Sequence, residues 1–355
     1  MSTNFLTTLQ NYKDLVWPEI ETILNSFTDF PAYCRLSSKY QDIVNLHRNL
    51  VSDYPHRKGK YLRPSLLLLT AQSMGFPLDK ALKTAAAMQL SEEWILCHDD
   101  IEDDSQERRG APALHRIYGK ELAINAGDSL HILQWHLLFE NFQILDFELA
   151  TKIYQEFYVM LNRTALGQTV DIKWNQDSQI ILTDEDVFLT LESKTGYYTI
   201  AGPMRLGALL AGATSTQLDK IYQFGILLGR AFQITDDILD LTSDFAGLKK
   251  QQGNDIYENK KTIMLVHLIR QVQGDDKVKL GLILSKSRDQ KTPQDVSYVI
   301  GLMEKYDSFE YARNMAKDFA AQSLTIFDRD LDFLSHQPYR DQLKEGISFI
   351  INRDH

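Results

Sequence analysis

The chain has 355 residues, 44% of them hydrophobic and 24% charged, the balance of a soluble globular protein with ample material for a core. Its formal charge of −10 argues against a nucleic-acid partner, which favours a basic surface. Two cysteines, Cys34 and Cys97, are too few for a disulfide framework or a zinc site, so a cytoplasmic setting is expected; the N-terminus does not read as a signal peptide, and no apolar run approaches a membrane span.

Apolar residues recur at threes and fours over residues 5–50 (Phe5, Leu6, Leu9, Tyr12, Leu15, Ile20, Ile23, Leu24), which predicts amphipathic helices broken at Pro31 and near Ser37 and Ser38. A basic loop with Lys58, Gly59, Lys60 and Arg63 then enters a helix. The helix dipole opposes cations there, so they read either as a site for an anion or as a solvated basic turn. Leu66 to Met74 reads as a buried helix ending near Gly75 and Pro77. Leu78 to His98 is an Ala-rich helix that delivers an acidic run: Asp99, Asp100, Glu102, Asp103 and Asp104.

Five carboxylates in six positions repel one another on a helix, so something must compensate. At helical spacing Asp99 and Asp103 share a face, with Asp100 and Asp104 beside them. A cluster of hard oxygens suits magnesium, which takes one or two carboxylates plus water and phosphate oxygens. Arg108 and Arg109 follow, and the guanidinium fork matches phosphate. A solvated acidic face is the ordinary explanation for one such run. The same spacing returns at Asp236, Asp237 and Asp240, again after an apolar helical stretch and followed by Lys249, Lys250, Lys260 and Lys261. Two matched clusters with cations after each are what a site needs to hold a diphosphate through bridging metals.

Between the runs, Leu114 to Gly119 leads into Ala123 to Asp128, and long helical patterns fill Leu130 to Ile172. Thr183 or Asp184 caps a helix containing Lys194, Thr195 and Gly196, and Gly202 and Pro203 punctuate the next. Leu218 to Asp240 carries the second run, Phe245 to Asn259 reads as a flexible loop, and Pro293 and Pro338 mark breaks among the last helices. Strand alternation is almost absent and no Asn-Gly or Asp-Gly hairpin signal occurs. The prediction is an all-α domain of roughly ten or more helices.

Taken in order, Gly59-Lys-Tyr-Leu-Arg-Pro64, His98 to Asp103 with Arg108 to Pro112, and Asn125-Ala-Gly-Asp128 resemble the trans-isoprenyl diphosphate synthases, the farnesyl and geranylgeranyl diphosphate synthase family. Lys194-Thr-Gly196, Phe232 to Asp240, and Lys250 to Ile256 with Lys260 complete the likeness, which runs from about residue 45 to 353. It implies a single-domain helical bundle around a deep central cavity (46–355) behind an N-terminal helical extension (1–45), and a homodimer. It implies condensation of an allylic diphosphate with isopentenyl diphosphate to geranylgeranyl or farnesyl diphosphate, with about three magnesium ions once substrate is bound. By the resemblance Asp99, Asp103 and Asp236 ligate metal, with Asp100, Asp237 and Asp240 supporting them in the metal set. Arg108, Lys194 and Lys260 contact the allylic diphosphate. Gly59, Lys60, Arg63 and Arg109 hold isopentenyl diphosphate, Thr195 and Gln233 line the site, and Lys250 sits on a closing loop.

Three positions qualify the likeness. Glu92 stands where the family usually has His or Gln; beside isopentenyl diphosphate it either repels the substrate or is paired with Arg63 or Lys60. Asn259 replaces the usual Gly before Lys260 and tolerates the same turn geometry. Trp94 and Ile95, one turn before the first run, are expected to floor the cavity and limit product length. Two other readings are a class I terpene cyclase and a non-catalytic regulatory subunit of a heteromeric synthase. Retention of both acidic runs argues against each.

Overall fold

A computed structural model describes residues 5–177, 181–242 and 253–351. Its elements are α1 (Phe5–Ser26), α2 (Gln41–Arg57), α3 (Leu62–Ser73), α4 (Leu78–Glu102), α5 (Leu114–Tyr118), α6 (Lys120–Glu140) and α7 (Phe147–Gln176). There follow α8 (Asp184–Thr190), a π-helical stretch (Leu191–Ala201), α9 (Gly202–Leu210), α10 (Ser215–Thr242) and α11 (Asn254–Tyr257). The chain ends with α12 (Ile263–Gln271), α13 (Gly274–Leu284), α14 (Pro293–Lys305), α15 (Ser308–Asp330) and α16 (Tyr339–Ile351). The fold is all-α, as expected. Packing divides the described residues into two compact units: 5–156 with 203–213 and 334–345, and 157–177, 181–202, 214–242, 253–333 and 346–351.

In the first unit α3 is buried on every side through Leu66, Leu67, Leu68 and Leu69, as a helix apolar all round must be. Against it lies α4, whose Ala81, Ala85, Ala86 and Ala87 are fully buried. Their small side chains let neighbouring helices come close over the N-terminal half of α4, which packs on α3 and α6. The helix α1 adds Phe5, Leu9, Tyr12, Val16, Ile20, Ile23 and Leu24 to this core, each burial stabilising by about 1.5–3 kcal/mol. Leu6 and Leu15, expected on the same stripe, stay exposed at its two flanks.

The second unit is organised on α10, which packs on the π-helical stretch and on α15. Its glycines make the first contact possible. A Cβ on Gly229 would stand 2.4 Å from the Cα of Gly196, and one on Gly225 would stand 2.5 Å from the Cα of Ala201. The expected helix start is present, with Thr183 and Asp186 in a reciprocal capping box. The punctuation expected at Gly202 and Pro203 is a change of register: the π-helical stretch ends at Ala201 and α9 continues from Gly202 without interrupting the helix.

One short β-hairpin, Glu107–Arg108 paired with Ala111–Pro112, also departs from the expectation of no hairpin. Its turn is Arg109-Gly110, with φ of 53° and 77°, the geometry usually signalled by Asn-Gly. Arginine in this left-handed region is strained by about 1–2 kcal/mol, and the contacts described below hold it there.

The glycine contact gives a paired stability prediction. Gly229→Ala should destabilise by about 1–3 kcal/mol through overpacking, while Gly281→Ala, helical and with open space around it, should be neutral or stabilising. Thermal unfolding of the two variants beside the parent reads both signs, and an unchanged midpoint for Gly229→Ala would refute the close approach.

Candidate active site

The first acidic run sits in the last turn of α4, with Asp103 as its C-cap. A helix C-terminus carries partial negative charge, so carboxylates there need compensation. Asp100 receives most of it. Fully buried, it accepts hydrogen bonds from Arg108 Nε at 3.0 and 3.1 Å, from Arg108 Nη2, and from the hydroxyl of Tyr54. Arg108 Nη2 also lies 3.7 Å from Asp99. Burial opposes the charge on Arg108, but the hydrogen bonds and field of Asp100 prevail and hold the guanidinium above its ordinary pKa. Burial, then Asp100, likewise raises the phenol of Tyr54. Asp99 and Asp103 remain half-buried at the helix end.

Asp100, expected in a supporting role within the metal set, has its two oxygens facing a guanidinium and a phenol inside the protein, where it positions Arg108. Tyr54 also accepts a hydrogen bond from the Leu114 amide at 2.9 Å, and Arg57 donates to the carbonyls of Arg108 and Pro112, both at 2.9 Å. These bonds tie the hairpin to α2.

The second arginine of the hairpin faces another pair of carboxylates. Arg109 Nη1 donates to Glu93 at 2.9 Å and to the Tyr54 carbonyl at 3.0 Å. Glu93 is fully buried, and burial raises its pKa against the pull of Arg109. Glu92 lies 3.1 Å from Arg63 Nη1 and 3.5 Å from Arg109 Nη2, so it is paired, with both arginines. Gly59 rests on this group: a Cβ there would be 2.8 Å from Arg109 Nη2. Lys60 is exposed on the same turn.

The second acidic run, in the second unit, repeats the division of labour. Asp237 is buried and accepts from Lys260 Nζ and from Gln233 Nε2, both at 2.9 Å. Lys260 also reaches Asp255 at 3.2 Å. Burial raises the pKa of both carboxyls; burial opposes the charge on Lys260 too, but Asp237 and Asp255 raise it overall. Asp237, likewise expected in a supporting role, is thus the counterpart of Asp100 in the second run. Asp236 is exposed and Asp240 half-buried, the latter accepting the Asp255 amide at 3.1 Å. Asn259 adopts φ 58°, so it does take the turn geometry of a glycine immediately before Lys260.

Gln233 is itself fixed by Thr195, whose hydroxyl donates to its Oε1 at 3.0 Å, and the preceding Lys194 bonds Asp171 at 3.1 Å. All three cations expected at the allylic diphosphate are thus aimed by carboxylates, with 25%, 28% and 26% of the Arg108, Lys194 and Lys260 side chains still exposed. Asp171, Tyr54 and Glu93 are the partners that sequence reasoning did not place at the site. Lys250 lies outside the described residues.

Trp94 stacks at 4.5 Å on His131 of α6, edges His98 at 5.9 Å, and donates its indole N–H to Gln134 at 2.8 Å. Ile95 is half-buried beside it. Gly127 explains the small residue in Asn125 to Asp128, since a Cβ there would strike His98 Nε2 at 2.5 Å. Among the described residues no three His, Cys, Asp or Glu side chains gather closely enough to hold a metal ion alone. The other aspartates of the two runs, Asp99, Asp103, Asp236 and Asp240, carry hard oxygens, which fit magnesium bound partly by water and phosphate.

Residues 44–303 match the polyprenyl synthetase family. The short chain isoprenyl diphosphate synthase of Methanothermobacter thermautotrophicus is 32% identical over 297 residues, covering 84% of this chain and 87% of that protein. The geranylgeranyl diphosphate synthase of Sulfolobus acidocaldarius is 33% identical over 262 residues, covering 74% and 77%. Among solved structures, geranylgeranyl pyrophosphate synthetase from Pyrococcus horikoshii superposes with a TM-score of 0.83 at 26% identity, over 99% of this chain and 98% of that one. The chain belongs to the polyprenyl synthetase family and is a prenyltransferase.

Proposed function

We propose that this prenyltransferase condenses an allylic diphosphate with isopentenyl diphosphate and releases geranylgeranyl or farnesyl diphosphate. The observation that carries the reading is the matched construction of the two acidic runs. In each, the second aspartate is buried against a cation while its neighbours stay accessible for a bridged diphosphate.

Asp99 and Asp103 on one run, and Asp236 with Asp240 on the other, would hold magnesium. Magnesium supplies charge that stabilises a departing diphosphate. Arg108, Lys194 and Lys260, each aimed by its own carboxylate partner, add fixed positive charge where the leaving group gains negative charge. Such donors cost no reorganisation at the moment of bond breaking, because Asp100, Asp171 and Asp237 have already oriented them. Lys60, Arg63 and Arg109 would hold isopentenyl diphosphate, with Gly59 leaving room for the Arg109 guanidinium. Gln233 and Thr195 form a neutral, hydrogen-bonded wall next to Lys194. A proton lost from the condensation product goes to the departing diphosphate, so no side-chain base is required.

Assembly and setting belong to the same proposal. Homodimerisation is supported by exposed apolar side chains along α6 and α7, among them Ile132, Phe139, Phe147 and Tyr158. A cytoplasmic setting is supported by two free cysteines, and among the described residues no helix is long and apolar enough to cross a membrane. The proposed domain covers 46–355 behind an extension of 1–45, although α1 of that extension shares the core of the first unit.

Purified protein incubated with isopentenyl diphosphate and labelled geranyl diphosphate should give elongated product with magnesium and none with excess chelator. Asp236→Ala should lower kcat by about 10²-fold or more; full activity in that variant, or in chelator, would remove the proposal. Trp94→Ala should shift the product distribution to longer chains in the same assay, and an unchanged distribution would exclude Trp94 as the limit on length.

A further inference from the structure

The cations proposed for isopentenyl diphosphate meet an anion that belongs to the protein. Glu92 gives one carboxylate oxygen to each of two guanidiniums: Oε2 at 3.1 Å from Arg63 Nη1 and Oε1 at 3.5 Å from Arg109 Nη2. That is the bridging arrangement two phosphate oxygens would make. We propose that Glu92 is a built-in competitor for the isopentenyl diphosphate subsite, filling it when substrate is absent and weakening the affinity for that substrate alone.

The two halves of Arg109 separate the roles of the neighbouring glutamates. Nη1 is committed to Glu93 and the Tyr54 carbonyl, and Glu93 is fully buried with a second hydrogen bond, from Gln89 at 2.7 Å. Glu93 is therefore structural, holding the strained Arg109 in place. Nη2 is buried and makes no hydrogen bond, because Glu92 stands too far away to complete one. A buried, charged donor left in that condition is costly, and a phosphate oxygen would satisfy it. Glu92 keeps 16% of its side chain exposed, so it has somewhere to go. With the subsite empty, it also screens two like-charged guanidiniums from each other. Once a diphosphate enters, the same carboxylate repels it, so binding must displace Glu92.

The inference rests on the reading of Lys60, Arg63 and Arg109 as the isopentenyl diphosphate subsite, and its test separates the two. Isopentenyl diphosphate is titrated calorimetrically, without magnesium, into the parent and Glu92→Gln, and both proteins are assayed for elongation of geranyl diphosphate. Removing the charge should tighten isopentenyl diphosphate binding and lower its KM on the order of tenfold or more, with the KM for geranyl diphosphate unchanged. Equal or weaker binding by Glu92→Gln, or parallel shifts in both KM values, overturns the inference while leaving the enzyme assignment intact. Tighter binding by the variant with no elongation by either protein supports the inference and removes the assignment. Should Glu92→Gln not fold, Glu92→Ala is read by the same ratios.

Discussion

A carboxylate cluster at the end of a helix is an electrostatic burden, and in both acidic runs the protein meets it by sacrificing the second aspartate. Asp100 is withdrawn from solvent and given to Arg108 and Tyr54; Asp237 is withdrawn and given to Lys260 and Gln233. Removing either cation would leave a buried charge without its partner, a loss of about 3–5 kcal/mol. The exchange does more than lower repulsion. It converts a flexible arginine and a flexible lysine into cations with a fixed aim, which is the condition under which electrostatic catalysis is effective.

Backbone geometry carries the same constraint outward. Arg108 and Arg109 are neighbours in sequence, yet each reaches a different carboxylate of α4 because Arg108 ends a strand while Arg109 lies in the tight turn that follows. The left-handed conformation of Arg109 is held by Glu93, by the Tyr54 carbonyl and, through the hairpin strands, by Arg57. In the second unit the equivalent work is done by close backbone contact. Gly229 lets the π-helical stretch lie on α10, which brings Thr195 onto Gln233 and so onto Asp237. The two acidic runs use different local structures to fix one kind of cation–carboxylate pair.

Much of this was legible in the sequence. Helical class followed from the spacing of apolar residues, the acidic runs from their repeated pattern, and the helix start at Thr183 or Asp184 from residue type, with Thr183 the cap in the structure. The hairpin was missed because its turn is Arg-Gly, a pair that forms a left-handed turn only when tertiary contacts offset the strain. The π-helical stretch before Gly202 was not anticipated because its register cannot be read from a 3.6-residue period. Which aspartate of each run is buried was invisible for a related reason: Asp99 and Asp100 are chemically equal until Tyr54 arrives from α2 and the hairpin turns Arg108 back onto α4. Glu92 was visible as an odd residue, but its two partners became definite only with distances.

The central claim is a division of labour, with outer aspartates for metal and inner ones for cations. Manganese can replace magnesium as a paramagnetic probe, with farnesyl thiodiphosphate as an allylic diphosphate that does not ionise. Manganese binding followed by electron paramagnetic resonance should be tight only when the thiodiphosphate is present, and Asp99→Asn or Asp236→Asn should abolish that tight binding. Tight manganese binding without the thiodiphosphate, or binding unaffected by both substitutions, would contradict the account.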